Sequence, residues 1–186
     1  LEKVQFWLAK YPDHKRQSAV LPILWLVQKQ EGWVSEPAIR KVADMLSMPV
    51  IRVFEVATFY TMYKRRPTGE YLVSVCTNTL CNVLGGQEVY DRLTEHLGVG
   101  HDETTADGRI TLEHAECLAA CDLAPVLQVN YEYFDNQTVE SAQALVEALQ
   151  RGERPLPTRG AVLTDLKTVE LELAGIFPDL AGAVAG

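Results

Sequence analysis

The 186-residue chain has little cysteine, no long apolar run and no excess of basic residues. Each of these shortages excludes some classes of function. It has 17 Lys and Arg residues and 25 Asp and Glu residues, which gives a formal net charge of −8. Because few groups are left to neutralise phosphates, we expect no nucleic acid as a partner. No apolar stretch approaches the ~20 residues that cross a bilayer, so we expect no direct membrane insertion.

Nucleotide-binding motifs are missing as well. The sequence has no Gly-x-Gly-x-x-Gly turn behind a strand and no phosphate loop ending in Gly-Lys-Ser or Gly-Lys-Thr. The pair Gly85–Gly86 precedes a predicted helix and is interpreted as its start. We therefore expect that this chain alone does not oxidise NADH.

All four cysteines stand in two close pairs, Cys76 with Cys81 and Cys117 with Cys121. The first residues of the chain are too charged, and their apolar run too short, for a secretory signal. The expected compartment is therefore reducing. Paired cysteines there indicate metal or redox chemistry before structural disulfides.

Residues 1–68 are predicted to form a helical domain. Apolar residues and a final glycine predict a helix over 18–32. Ser35 is a typical N-cap, and apolar residues recur at helical spacing up to Leu46. A third segment, 49–61, is predicted as a helix because of its length and its proline at the start, although its β-branched residues leave a strand open.

The pattern changes after residue 68 to alternating strands and helices. Strands are predicted at 71–75, at 109–117 and as a hairpin within 125–137, and helices at 85–98 and 138–152. This order indicates a thioredoxin-like α/β domain over 69–153, and hence an α+β fold class for the whole chain. Residues 154–186 are left as a C-terminal tail, which ends in the small and apolar stretch 177–186; this end is interpreted as frayed, with a docking peptide as the alternative.

The spacing of the thiols leaves several kinds of site open. Four residues separate Cys76 from Cys81, and three separate Cys117 from Cys121. Structural zinc and thioredoxin-like dithiols usually show a Cys-x-x-Cys, which neither pair has. Wide loops suit a [2Fe–2S] cluster, in which each of two irons takes two thiolates. Spacing favours this cluster, while a zinc-stabilised interaction module and unrelated buried cysteines stay as alternatives.

Longer stretches carry a resemblance to a known family. "EVATFYTMY" at 55–63, the Cys-x₄-Cys and "ECLAAC" with the following Ala-Pro are its most specific pieces. From about residue 18 to 150 the chain resembles the small [2Fe–2S] subunit of NADH:quinone oxidoreductase, respiratory complex I. In bacteria this is the E subunit, a thioredoxin-like ferredoxin domain behind a helical N-terminal domain.

The resemblance implies a site, a cofactor and partners. Its cluster ligands are Cys76, Cys81, Cys117 and Cys121, and the chain is an electron-transfer subunit without a complete active site. The implied partner is a flavoprotein subunit that carries FMN and binds NAD, among other peripheral-arm subunits. The expected location is the cytoplasmic side of the bacterial inner membrane, or the matrix side in mitochondria. Similar subunits serve NAD-linked hydrogenases and formate dehydrogenases, and the sequence does not decide between these assemblies.

Residues near the cysteines raise further expectations. The family commonly has Gly where this chain has Ala119, and Gly allows backbone conformations that Ala resists. Residues 77–79 can supply hydrogen-bond donors to the sulfurs, or be ordinary turn residues. Asp122 is expected to be solvated, and His114 to lie in the core or beside the ligands.

Aromatic residues are concentrated near the predicted domain junction. Phe59, Tyr60 and Tyr63 are interspersed with Thr and Met residues. We predict that they pack in the core, with some residues shared with a surface. The alternative is a docking face for the flavoprotein subunit, since aromatic residues are enriched at interfaces.

Overall fold

The computed structural model describes residues 2–173, which form two compact units. The helical unit contains the described residues up to Pro67 together with those from Lys167 onward. The cysteine unit is Thr68–Leu166. The predicted tail therefore contributes to both units as far as it is described, and its apolar end, 174–186, lies outside the described residues.

The helical unit is built from five α-helices. They are α1 (Glu2–Leu8), α2 (Val20–Glu31), α3 (Glu36–Leu46), α4 (Val50–Phe59) and α8 (Leu166–Leu173), with a 3-10 helix at Asp13–Ala19 before α2. The Ser35 hydroxyl accepts a hydrogen bond from the Ala38 N–H at 3.3 Å and so caps α3 as predicted. The β-branched segment is helix α4, because its Val53 and Ala57 face the buried core.

The described part of the tail is not frayed. Glu170 of α8 is almost fully buried, and its carboxylate accepts a hydrogen bond from the Gln28 amide at 2.9 Å. Gln28 also donates to the Met62 carbonyl and accepts from the Lys64 N–H. The buried Glu170 carboxylate reaches the Gln28 amide only when α8 is in place. The expectation of fraying concerns the apolar end of the tail, 177–186, which lies outside the described residues.

The aromatic segment divides between core and surface. Tyr63 is buried and donates a hydrogen bond from its hydroxyl to the Leu21 carbonyl at 2.9 Å. Phe59 is 78% exposed and Tyr60 is also exposed. Of the three residues, Tyr63 packs in the core, and Phe59 and Tyr60 belong to the surface part that the prediction allowed for.

The cysteine unit contains a five-stranded sheet and three α-helices. The strands are β1 (Tyr71–Cys76), β2 (Glu103–Thr104), β3 (Ile110–Ala115), β4 (Leu127–Val129) and β5 (Glu132–Phe134), and the helices are α5 (Thr79–Val83), α6 (Gly86–Leu97) and α7 (Val139–Gln150). A 3-10 helix spans Cys121–Leu123. The strand order is β2-β3-β1-β4-β5, in which only β1 and β3 are parallel.

The core of this unit lies between the sheet and the helices α6 and α7. Tyr71, Val73 and Val75 of the central strand alternate toward it, as the period of a strand requires. Leu93 of α6 and Leu149 of α7 are fully buried against the same cluster. Burial of each such side chain stabilises the fold by ~1.5–3 kcal/mol. The predicted α+β fold class is confirmed.

Candidate metal centre

Two neighbouring parallel strands carry the two cysteine loops. Cys76, the last residue of β1, is in register with Ala115, the last residue of β3. Because parallel strands end at the same edge of a sheet, the segments that follow begin side by side. The first holds Cys81, and the second holds Cys117 and Cys121. Pairing of the strands thus brings together loops that are far apart in sequence.

The first cysteine pair is buried. Cys76 is 2% and Cys81 3% exposed. The Cys76 N–H donates to the Val126 carbonyl at 3.1 Å, and Cys81 lies within the short helix α5. Gly86 packs so closely that an added Cβ would lie 2.6 Å from the Cys76 carbonyl oxygen. The glycine pair therefore both starts α6 and lets it approach this loop.

The second cysteine pair is exposed. The Sγ atoms of Cys117 and Cys121 lie 3.6 Å apart. Between them Ala119 has φ +57°, in the left-handed region that favours glycine. Its N–H donates to the Cys117 sulfur at 3.4 Å. The substitution noted in the sequence thus falls on a backbone position where Ala is strained.

The second loop is supported from strand β5 and the residues that follow it. The Tyr133 hydroxyl donates to the Leu118 carbonyl at 2.9 Å, and the Asn136 N–H donates to the Leu123 carbonyl at 2.8 Å. The Arg159 guanidinium lies 4.9 Å from the centre of the Tyr133 ring. Tyr133 is thus held in the position from which it supports Leu118.

Arg159 is itself fixed by a carboxylate. It donates two hydrogen bonds to Asp135, at 2.6 and 2.8 Å. Burial of Asp135 opposes its ionisation, but hydrogen bonds from Arg159 and Thr158 outweigh burial and lower the pKa of this carboxyl. The pair therefore stays ionised at neutral pH.

The two cysteine loops contact each other directly. The Asn78 side-chain amide donates to the Glu116 carboxylate at 2.9 Å, and the Thr77 N–H donates to the Ala115 carbonyl at 3.1 Å. The Asn78 Oδ1 also accepts from the Thr79 N–H. In the described residues these donors are thus engaged with the second loop and with α5 rather than with a sulfur. The observed donor to a sulfur is Ala119, which the sequence did not identify.

The thiols lie close enough to influence one another's ionisation. Burial, and then a hydrogen bond with Cys76, raise the pKa of Cys81 to about 11. A hydrogen bond with Cys117 raises the pKa of Cys121. Charge on Cys121 also raises the pKa of Cys81, so the two pairs are within electrostatic reach. A metal cation at this point would reverse these shifts, because it stabilises thiolates.

The four thiols form two pairs rather than one compact set. All four cysteines are free. Two thiolates on one tetrahedral ion with ~2.3 Å bonds lie ~3.8 Å apart, close to the separation of Cys117 and Cys121. Within residues 2–173, no group of three or more His, Cys, Asp or Glu is placed to hold one metal ion. In a binuclear cluster each iron binds two thiolates, and the two pairs of cysteines match this requirement.

Two other residues singled out in the sequence, Asp122 and His114, lie at the surface. Asp122 is exposed, as expected. His114 is also exposed and stacks on the His101 ring at 4.2 Å between centroids, so the expected core position is wrong. Tyr133, Asp135 and Arg159 were missed because they stand outside the cysteine segments, and no local motif relates them to the second loop.

Comparison with known proteins gives one family and a set of relatives. The family described as thioredoxin-like [2Fe-2S] ferredoxin matches residues 4–150. The E subunit of the NADH-quinone oxidoreductase of Mycobacterium tuberculosis H37Rv is 56% identical over 172 residues, which cover 92% of this chain and 67% of that protein. The E subunit of the Rickettsia conorii enzyme is 44% identical over 144 residues, covering 77% of this chain and 86% of the relative.

A solved structure shares the fold. An NAD⁺-reducing [NiFe]-hydrogenase in its H₂-reduced state superposes with a TM-score of 0.58. The match is 20% identical and covers 70% of this chain but 22% of the hydrogenase chain. At that identity the likeness extends to the fold alone.

Proposed function

Since this chain belongs to the thioredoxin-like [2Fe-2S] ferredoxin family, we propose that it is the electron-carrying E subunit of an NADH:quinone oxidoreductase. Cys76, Cys81, Cys117 and Cys121 are the proposed ligands of one [2Fe–2S] cluster. The observation that carries the proposal is the register of β1 and β3, which places two thiol pairs at one edge of the sheet. The mycobacterial and rickettsial relatives support the assignment to this enzyme.

Each part of the chain has a defined task in this proposal. The four cysteines would hold the cluster, which would supply reversible one-electron redox chemistry between an electron donor and an acceptor. Cys76 and Cys81 would supply two buried thiolates to the cluster, and Cys117 and Cys121 would supply two exposed ones. The Ala119 N–H, donating to Cys117, stabilises negative charge on that sulfur.

The proposed electron donor is a flavoprotein subunit that carries FMN and oxidises NADH. This sequence has no nucleotide-binding motif, and the proposal assigns the NADH site to that partner. Among the described helices none is long and apolar enough to cross a membrane. From the likeness to E subunits of NADH-quinone oxidoreductases, we propose that the chain attaches to the membrane through other subunits of the complex, on the cytoplasmic side in bacteria.

Absorption spectroscopy tests the cluster assignment. The chain, purified without oxygen, should be brown and should bleach when dithionite is added, because thiolate-bound ferric iron absorbs visible light. Zinc has no such absorption, since its d shell is full. A colourless protein that contains one zinc per chain would contradict the proposal and leave the zinc-stabilised interaction module.

A further inference from the structure

Residues 158–166, at the end of the cysteine unit, form a strap along its sheet. Arg159 of the strap forms an antiparallel β-bridge with strand β5. Leu163 is fully buried in the core of the unit, and the Leu166 N–H donates to the carbonyl of Glu70, which precedes β1, at 2.9 Å. These contacts fix the strap at both ends and in the middle, so the positions of its side chains are defined.

The strap holds the Arg159 side chain beside the support of the second cysteine loop. The guanidinium lies 4.9 Å from the centre of the Tyr133 ring. The hydroxyl of that ring donates to the Leu118 carbonyl at 2.9 Å, and Leu118 follows Cys117 in the chain. One aromatic ring therefore separates the positive charge from the residue next to an exposed thiol.

Two carboxylates act on the charge of Arg159. The buried Asp135 accepts two hydrogen bonds from the guanidinium, at 2.6 and 2.8 Å. These hydrogen bonds raise the pKa of Arg159, and the charge of Asp122 raises it further. Asp122 follows Cys121 in the chain. The guanidinium therefore acts electrostatically on the part of the loop that carries the second exposed thiol.

The surroundings of Arg159 are strongly acidic. The stretches 67–91 and 110–150 contain all four cysteines and ten Asp or Glu residues, but no Lys or Arg. The whole cysteine unit, 68–166, has five Arg and no Lys against sixteen Asp and Glu, a formal net charge of −11. The positive charge beside the second loop is thus supplied from outside the cysteine segments, by the strap.

We propose that Arg159 offsets the negative charge of the second cysteine loop, and that the Arg159–Asp135 pair thereby sets how readily the site accepts an electron. The inference rests on the proposed function. Accepting an electron adds one negative charge to a site that four thiolates already make negative. A nearby guanidinium stabilises the added charge and a nearby carboxylate opposes it, because charges interact strongly where water is partly excluded.

A purely structural role of the pair makes a different prediction from a role of its charge. Replacement of either partner breaks the same two hydrogen bonds, so a structural role would move the reduction potential in the same direction in both variants. Arg159→Gln, however, removes the positive charge and leaves the carboxylate, whereas Asp135→Asn removes the negative charge and leaves the guanidinium. A role of the charge therefore requires shifts in opposite directions.

A redox titration of the full-length, iron-loaded chain at pH 8 and ~50 mM salt, followed by its visible spectrum, measures these shifts. We expect Arg159→Gln to lower the equilibrium constant for uptake of one electron by about threefold, which is ~28 mV toward lower potential. Asp135→Asn should raise the constant by about threefold. Arg159→Lys keeps the charge and should stay within about twofold of the native chain. The double variant Arg159→Gln, Asp135→Asn should also stay within about twofold, because its net charge is that of the native pair.

Arg151→Gln is the matched control, since it also removes an arginine from an ion pair, with Glu153 at 2.7 Å. Arg151 directly follows helix α7, and the carbonyl of Leu149 in that helix accepts a hydrogen bond from Arg109, the residue before β3. It therefore lies at the opposite end of β3 from the cysteine loops, about 20 Å away along a strand of this length. At that distance salt screens its charge, and Arg151→Gln should leave the constant within about 1.5-fold.

Shifts of both single variants in the same direction, a double variant as far from the native chain as the single ones, or an equal shift in Arg151→Gln would overturn the proposal. If Arg159→Gln does not fold or does not retain iron, Asp135→Asn decides alone, and an unchanged or lower potential in that variant would overturn it. The spectrum of the native chain reports on the proposed function separately. A brown chain with unaltered potentials refutes the role of Arg159 alone, whereas a colourless native chain refutes the proposed function and this inference with it.

Discussion

The two cysteine pairs start from adjacent strand ends but occupy opposite environments. Cys76 and Cys81 lie in the interior, on a strand and a short helix fixed by backbone hydrogen bonds. Cys117 and Cys121 face solvent on a loop that depends on Tyr133 and contains a strained Ala119. The difference indicates that one pair belongs to the core of the unit, whereas the other is exposed to solvent.

The largest expected effect is loss of the cluster when a proposed ligand is removed. Cys76→Ala and Cys117→Ala should each abolish the visible spectrum, because each leaves one iron with a missing thiolate. In the metal-free chain the two variants should differ in their free energy of unfolding. Cys76→Ala leaves a buried gap and should lower the free energy of unfolding by ~1 kcal/mol, while Cys117→Ala should change it by less than ~0.5 kcal/mol. Urea unfolding of both variants measures this difference.

An unchanged spectrum in either cysteine variant would show that the ligand set is wrong. Replacement of the exposed His114 by Ala is the matched control, since its ring stacks on His101 and is not a proposed ligand. The His114→Ala chain should retain the cluster spectrum.

Alkylation should separate the two pairs in the metal-free chain. Iodoacetamide should modify the exposed Cys117 and Cys121 at least a hundredfold faster than Cys81, because Cys81 is buried. With its pKa near 11, only about a thousandth of Cys81 is thiolate at pH 8. Its rate should therefore rise about tenfold per pH unit up to pH ~11. Mass spectrometry at successive times measures the alkylation of each cysteine. Equal alkylation rates of Cys81 and the exposed pair at pH 8 would contradict the difference between the two pairs.

Removal of the support for the exposed loop should have a smaller effect. Tyr133→Phe deletes the hydroxyl that donates to the Leu118 carbonyl, and it keeps the ring beside Arg159. We expect a loss of ~1 kcal/mol in unfolding free energy and faster loss of iron to a chelator. Tyr131→Phe, in the β4–β5 turn, is a control aromatic substitution. Equal rates of iron loss in Tyr133→Phe and the native chain would show that the Tyr133 hydroxyl does not support the second loop.

The smallest effect is expected at Ala119. Gly removes the cost of φ +57° but adds freedom to the unfolded chain, so Ala119→Gly should stabilise the protein by only ~0.5–1 kcal/mol. The midpoint of urea-induced bleaching should rise accordingly. Ala115→Gly, in a strand, should lower the midpoint. A lower midpoint for Ala119→Gly would mean that the Ala methyl group is needed.

Local patterns predict the cysteine positions and most elements around them. Periodicity locates helices α2, α3, α6 and α7 and strands β1 and β3, because each buries a regular set of apolar residues. Helix α5 lies inside a loop too short to show a period. Helix α8 is held by the buried pair Gln28 and Glu170, whose contact joins residues distant in sequence.

The environment of the site could not be obtained in the same way. The spacing of the thiols does not tell which pair is buried, since that depends on how β1 lies between β3 and β4. Exposure of His114 was likewise missed, because a pattern shows which residues share a face and not what covers that face. Ala119 is the exception: a departure from a resembling family located a strained position before the backbone was known.

The iron and acid-labile sulfide content of the chain, purified anaerobically in full length, tests the central claim most directly. The account predicts two irons and two sulfides per chain, bound by all four thiols. A chain that contains zinc without sulfide, or one that retains two irons when Cys76 and Cys117 are both replaced by Ala, would contradict it.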